Sequence, residues 1–237
     1  VDNVLTLLGF GPEGWGAAIL WGVVVTVSLA LATLPLGLFI GFVVALAKQS
    51  REPSLRMAAN IYTTIFRGLP ELLTLFLVFY GAQIGIQAVM RLFDPAAVIE
   101  INSFVAGMIA LGAVFSAYAS ETFLSAFRAI PRGQYEGGYA IGLTGGQTMR
   151  LVILPQLIRI AMPGLGNLWM ALLKDTALVS VVGLADILRQ TGVAARVTKH
   201  AFLFFSVAAL LYLVLAILSS FVIKAIEDRT HRGEVRR

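Results

Sequence analysis

The 237-residue chain has no cysteine, only two histidines, and few charges: Asp, Glu, Lys and Arg make up 13% of it, about half the ~25% usual in soluble domains. Without cysteine there is no disulfide, no thiolate metal site and no catalytic thiol. His200 and His231 are too few and too far apart to hold a metal ion. No Ser, His and Asp constellation suggests nucleophilic catalysis. A Gly-x-x-x-x-Gly-Lys phosphate loop is also missing, so ATP cannot bind by that route. Gly9, Gly11 and Gly14 fit the dinucleotide pattern Gly-x-Gly-x-x-Gly, but no strand precedes them, Pro12 interrupts them and a long apolar run follows.

What the chain has instead is apolar sequence. Hydrophobic residues make up 58% of it and the mean hydropathy is +0.86, which places it in a membrane. The runs are continuous and reach the ~20 residues of a spanning helix; a β-barrel would show ~10-residue alternating segments. The expectation is therefore an all-α membrane protein forming a single transmembrane domain over residues 1–237. Residues 14–47 carry no charge and form the first span, about 15–47, with Pro35 as a kink. The second span, 57–90, is broken at Arg67 to Glu71 and closed by the turn signal Asp94–Pro95. The third covers 101–128, the fourth 151–173 with Arg159 and Pro163 inside it, and the fifth 200–224. Residues 131–150, rich in Gly, Gln and Thr, read as an aqueous loop bearing short helices, and the mixed segment 174–200 separates the last two spans. No internal repeat is evident. No basic leader precedes the first apolar segment, which is too long for a signal-peptide core and reads as a retained span.

Eighteen Lys and Arg against thirteen Asp and Glu give a net charge of +5. In this context the excess reports membrane orientation rather than a nucleic-acid partner. With the N-terminus outside, the inner segments 48–67, 128–159 and 224–237 hold thirteen cations and the outer segments five, in keeping with the positive-inside rule. Lys174, Arg189, Arg196 and Lys199 all fall in one outer segment, against the trend.

Ionisable groups at membrane depth cost roughly 2.5–3.5 kcal/mol each and usually face a bundle interior or a solute path. Glu121, with Ala117, Tyr118 and Ser125 on its helical face, either borders such a path or sits near the inner end of its span, solvated or paired with Arg128. Glu71 follows a helix-breaking Gly68–Leu69–Pro70. It either lines a cavity at a broken helix or pairs with Arg67 at helical spacing four. Asp175 reads as the cap of a following helix, with Thr176 beside it in the same polar cluster.

The loop contains Glu136, Gly137 and Gly138, then Gly142, then nine residues to Val152, with Leu154 and Pro155 closing it. This resembles the EAA signature of the membrane subunits of bacterial ABC importers, Glu-Ala-Ala-x-x-x-Gly-(nine residues)-Ile-x-Leu-Pro, with glycines for the alanines and valine for isoleucine. Phe66 to Pro70, Ala119 to Phe123, Ile130, Pro131, Gly133 and Gln134, and Lys174 with Thr176 to Ser180 extend the likeness over nearly the whole chain. They are similar to the permease subfamily for polar amino acids, and within it to the Q-type subunits of importers for histidine, lysine, arginine and ornithine or for opines.

The resemblance implies a type I ABC importer transmembrane domain of about five spans in the bacterial inner membrane, N-terminus periplasmic and C-terminus cytoplasmic. It implies a homologous M-type permease partner, two cytoplasmic ATPases carrying ATP and Mg, a periplasmic solute-binding protein, and no cofactor in this chain. Glu136, Gly142, Leu154 and Pro155 would form the coupling helix, and Glu121, Tyr118, Glu71 and Thr176 would border the path of a basic amino acid or opine. The residues alone leave two other classes open: an ion-coupled secondary transporter with Glu121 or Glu71 carrying a proton, and an intramembrane enzyme using two carboxylates. The scatter of polar residues among the spans disfavours the enzyme.

Overall fold

The computed structural model describes residues 4–94 and 100–231; Pro95 of the expected turn and the last six residues of the expected inner C-terminal segment lie outside them. Among the described residues there is no strand. The helices are α1 (Val4–Leu8), α2 (Gly16–Gln49), α3 (Pro53–Gly68), α4 (Glu71–Arg91), α5 (Ser103–Ala129), α6 (Arg132–Ala140), α7 (Gly145–Thr148), α8 (Leu154–Asp175), α9 (Ile187–Thr198) and α10 (Ala201–His231). A π-helical turn, Met149–Ile153, joins α7 to α8, and a 3-10 helix, Thr176–Val182, continues α8 at its other end.

Five helices are long and apolar enough to cross a membrane: α2, α4, α5, the continuous stretch Gly145–Val182, and α10. The number matches the expectation, and two boundaries differ. The stretch expected as one broken span at 57–90 divides into α3 and α4, of which only α4 qualifies as a span. Pro70 lacks an N–H, and both Leu69 and Pro70 are extended, so the chain leaves the helical register there. The expected fourth span, 151–173, extends in both directions because α7 and the π turn run into α8 without a break. Pro35 lies within α2, which continues to Gln49.

The core forms around α5, the most buried of the spans. Ala106, Ala110, Ser116, Ala117, Ala119 and Ser120 keep its surface small and lie 0–2% exposed. Lipid offers no hydrophobic drive for one helix to prefer another, so close backbone approach and dispersion must hold the helices together. The α2–α5 contact is of that kind. A Cβ on Gly41 would stand 2.9 Å from the Ser116 carbonyl oxygen, and one on Gly37 2.5 Å from the Phe115 ring. A second, smaller core gathers Leu7, Ile19, Ala194, Ala195 and Phe204, tying α1 and the start of α2 to α9 and α10. Several buried hydroxyls are satisfied within their own helices, as where Thr33 of α2 donates to the Leu29 carbonyl at 2.7 Å and Thr191 of α9 to Ile187 at 2.8 Å; Thr74 and Thr148 have no such partner.

Candidate functional site

A cavity of about 150 Å³ opens where the start of α4 meets α5 and the end of α8. Phe115 and Leu172 line it, with Tyr118 on one wall and two carboxylates, Glu71 and Asp175, facing it. The helix break places Glu71. With Pro70 as the extended residue ahead of α4, Glu71 occupies the first helical position, where a carboxylate suits the positive end of the helix dipole. Asp175 ends α8 and interacts electrostatically with both Glu71 and Lys174. It stands at the N-cap position of the 3-10 helix, but its side chain accepts no capping bond, so the cap reading is corrected. The backbone there is already right-handed helical, unlike the extended N-cap geometry that aims a side chain at the next turn.

Glu121 lies elsewhere. It is paired with Lys48 of α2 and, at 3.4 Å, with Arg67 of α3, and the guanidinium of Arg67 rests over the Tyr118 ring at 5.4 Å. Both sequence alternatives that gave these glutamates intrahelical partners are thereby replaced: Glu121 pairs across helices instead of with Arg128, and Arg67 turns to Glu121 instead of Glu71. The Lys48 side chain is only 7% exposed, and a buried cation left without its carboxylate costs about 3–5 kcal/mol. Thr176 is fully buried and donates to the Leu173 carbonyl at 2.7 Å, away from the cavity. Of the four expected path residues the structure therefore brings Glu71 and Tyr118 together. Asp175 joins them, while Glu121 stands behind Tyr118 and Thr176 lies beneath the helix end.

On the other side of the fourth span, α6 carries Glu136 exposed to solvent. Gly142 has φ +83°, a left-handed conformation that glycine adopts without a Cβ penalty, and it turns the chain from α6 into α7. Thr144 and Gln147 then form a reciprocal capping box that starts α7. The Leu154–Pro155 pair accounts for the π turn: the Leu154 N–H reaches back five residues to the Met149 carbonyl, and Pro155 has no N–H with which to restore the α pattern. Gly138 is buried against Thr148, where a Cβ would stand 2.6 Å from the threonine methyl and 2.8 Å from its hydroxyl. The room an alanine would take at this point of the EAA signature is filled from α7. Gly137 faces open space.

Five apolar helices, a loop bearing short helices and a carboxylate-bearing cavity make up the frame, and among the described residues no group of three His, Asp or Glu could hold a metal ion. The chain belongs to the family of binding-protein-dependent transport system inner membrane components, which it matches over residues 34–232. It is 41% identical to the histidine/lysine/arginine/ornithine transport system permease protein HisQ of Salmonella typhimurium, covering 93% of this chain and 96% of that one. It is 37% identical to the octopine transport system permease protein OccQ of Rhizobium radiobacter, covering 96% of each. The nopaline transport system permease protein NocQ of Agrobacterium fabrum is 40% identical, with 97% and 98% covered.

Among solved structures, an amino acid ABC transporter crystallised with histidines superposes with a TM-score of 0.80 at 30% identity, covering 97% of this chain and 99% of that one. The inward-facing methionine transporter MetNI superposes at 0.74 and 19% identity, over 91% and 97%, a likeness of fold. The fold is that of a type I ABC importer transmembrane domain, and the protein is an inner-membrane transport subunit.

Proposed function

We propose that this chain is the Q-type permease subunit of an ATP-driven importer for basic amino acids or opines, and that Glu71 and Asp175 receive the cationic end of the solute. The observation that carries the reading is the pair of carboxylates on one small cavity, in a chain whose relatives include permeases of histidine, lysine, arginine and ornithine and of opine transport systems. Two carboxylates in a partly dehydrated site attract a cation strongly. Tyr118 supplies an aromatic wall backed by Arg67, and Glu121 holds that arginine in place. At about 150 Å³ the cavity is smaller than the ~300 Å³ at which ligand pockets begin, so a homologous M-type permease partner supplies the opposite wall. Thr176 supports the helix end that carries Asp175.

Two cytoplasmic ATPases, which bind the ATP and Mg, engage the loop through Glu136, with Gly142, Leu154 and Pro155 fixing its shape. A periplasmic solute-binding protein delivers the solute at the opposite face. The N-terminus is periplasmic and the C-terminus cytoplasmic, by the distribution of cations.

The test is uptake by the reconstituted complex, with arginine and a neutral amino acid as paired solutes. Glu71→Gln and Asp175→Asn should each lower apparent affinity for arginine on the order of tenfold and leave the neutral solute little changed. Glu121→Gln, which unpairs Lys48, should lower uptake of both together with the amount of folded protein. Equal loss for both solutes in the cavity variants would remove the cation-binding assignment. Uptake that follows an ion gradient and needs no ATPase would replace the importer with a secondary transporter.

A further inference from the structure

The segment after the fourth span departs from the positive-inside trend, and α9 shows how its cations are arranged. One full span, Gly145–Val182, separates α6 from α9, so α9 lies on the membrane face opposite the loop that bears Glu136. One side of α9 is buried: Ile187, Thr191, Ala194 and Ala195 are 0–5% exposed. On the other, Arg189 and Arg196 are seven residues apart, two turns or about 10.5 Å along a common face, and both are exposed. Lys199 follows at the C-terminal end, also exposed.

The helix is held firmly. Asp186 caps it by accepting the Arg189 N–H at 2.9 Å, and the Ile187 N–H is donated to Thr26 of α2 at 3.3 Å. Gly22 lets α2 approach so closely that a Cβ there would stand 2.8 Å from the Asp186 carbonyl oxygen.

Three features set these cations apart from a merely solvated face. Arg196 and Lys199 have no ion pair with any carboxylate of this chain among the described residues. Lys199 has φ +63° and is the one non-glycine residue with positive φ among those described, at the helix-end position where glycine is usual. A lysine there retains a charge at the expense of the easier backbone. Arg189 donates to the Ser180 carbonyl at 3.2 Å, which ties α9 to the 3-10 helix whose other end is Asp175.

Resting on the importer reading above, we propose that α9 is a docking platform for an acidic surface of the solute-binding protein, with Arg189, Arg196 and Lys199 as its contacts. A rigid row of unpaired cations on the delivery side fits carboxylates at a matching spacing on a protein partner. The bond to Ser180 links that contact to the helix that carries the cavity.

The experiment uses the full complex in lipid nanodiscs with its solute-loaded binding protein. ATP hydrolysis is followed against binding-protein concentration at low and high salt, for wild type, Arg189→Gln/Arg196→Gln/Lys199→Gln, Arg196→Glu and Lys199→Gly. The triple variant should raise the half-saturating concentration about tenfold at low salt, the combined effect of three exposed ion pairs, and flatten its salt dependence. Charge reversal at Arg196 should exceed neutralisation. Lys199→Gly, which relaxes the backbone, should still weaken docking.

Unchanged half-saturation and salt slope, with the binding protein still stimulating hydrolysis, would overturn the platform and leave the importer standing. A shift seen only in nanodiscs rich in anionic lipid would overturn it in favour of a headgroup surface. A wild-type complex that the binding protein fails to stimulate would overturn the importer reading itself, and the platform with it.

Discussion

The contact between Gly138 and Thr148 gives a quantitative test of how the loop proposed to engage the ATPases is built. An alanine Cβ at 138 would stand 2.6 Å from the Thr148 methyl and 2.8 Å from its hydroxyl, where carbon atoms normally rest ~3.5–4.0 Å apart. Relief requires a shift of about 1 Å between α6 and α7, and overpacking of this kind costs about 1–3 kcal/mol. Alanine returns up to ~1 kcal/mol in helix propensity, so Gly138→Ala should destabilise by about 0–2 kcal/mol. Thr148→Ala removes both offending atoms. It also removes a buried hydroxyl that has no hydrogen-bond partner, an arrangement that costs ~1–3 kcal/mol, so it should be neutral or stabilising by itself.

The double variant, which restores the alanine of the EAA signature, should be more stable than Gly138→Ala with a coupling energy of about 1–2 kcal/mol. Thermal unfolding of the purified complex measures the stabilities, and ATP-coupled uptake should fall and recover in parallel. Additive effects of the two substitutions, within ~0.5 kcal/mol, would refute the packing argument.

Two further outcomes are expected. Glu136→Lys should uncouple uptake from ATP hydrolysis while leaving the chain inserted, and normal uptake by this variant would remove Glu136 from the coupling contact. Burial pushes the Asp186 carboxyl from 3.8 up to about 6, against the capping N–H groups that lower it. The folded protein therefore holds this proton more tightly than the unfolded chain does, and stability falls as pH rises from 3.8 to about 6, then levels. Asp186→Asn keeps a capping oxygen and cannot ionise. Its melting temperature relative to wild type should rise across that window and stay level above it, and a constant difference would contradict the assignment.

The five spans were legible because length and apolarity are local properties that a run of residues carries by itself. The break at Leu69–Pro70 was legible too, but its consequence was not, because the apolar residues of α3 and α4 add up to one stretch when only hydropathy is counted. Gly142 is a case where motif and backbone agree, since the signature glycine is the residue with φ +83°. Glu121 shows the limit: its partner Lys48 lies 73 residues away, and no spacing rule reaches across helices. Asp175 stands in a polar cluster whose sequence suggests the commonest local role for an aspartate beside a helix, a cap. Only the approach of α4 places a second carboxylate on the same cavity.

On the proposed function, the fourth span connects the loop that engages the ATPases with the solute cavity, and its departures from α geometry lie at its two ends. α8 has 22 residues, about 33 Å at 1.5 Å per residue, close to the ~30 Å of a bilayer core. At one end the π turn adjoins Thr148 and the loop that bears Glu136. At the other, a seven-residue 3-10 run, longer than the usual three or four, follows Asp175 directly. A packed helix transmits movement as a body, and the strain of that movement must be absorbed where hydrogen bonding is less regular. Here both irregular segments have local causes: Pro155 for the π turn, and the Gly183 turn, with φ +99°, for the end of the 3-10 helix. A loop displaced at the ATPase side would therefore carry α8 and Asp175 with it, relative to Glu71 on α4. The cavity carboxylates would then separate or close according to the state of the loop, which is the relation an alternating-access permease requires between its energy source and its solute.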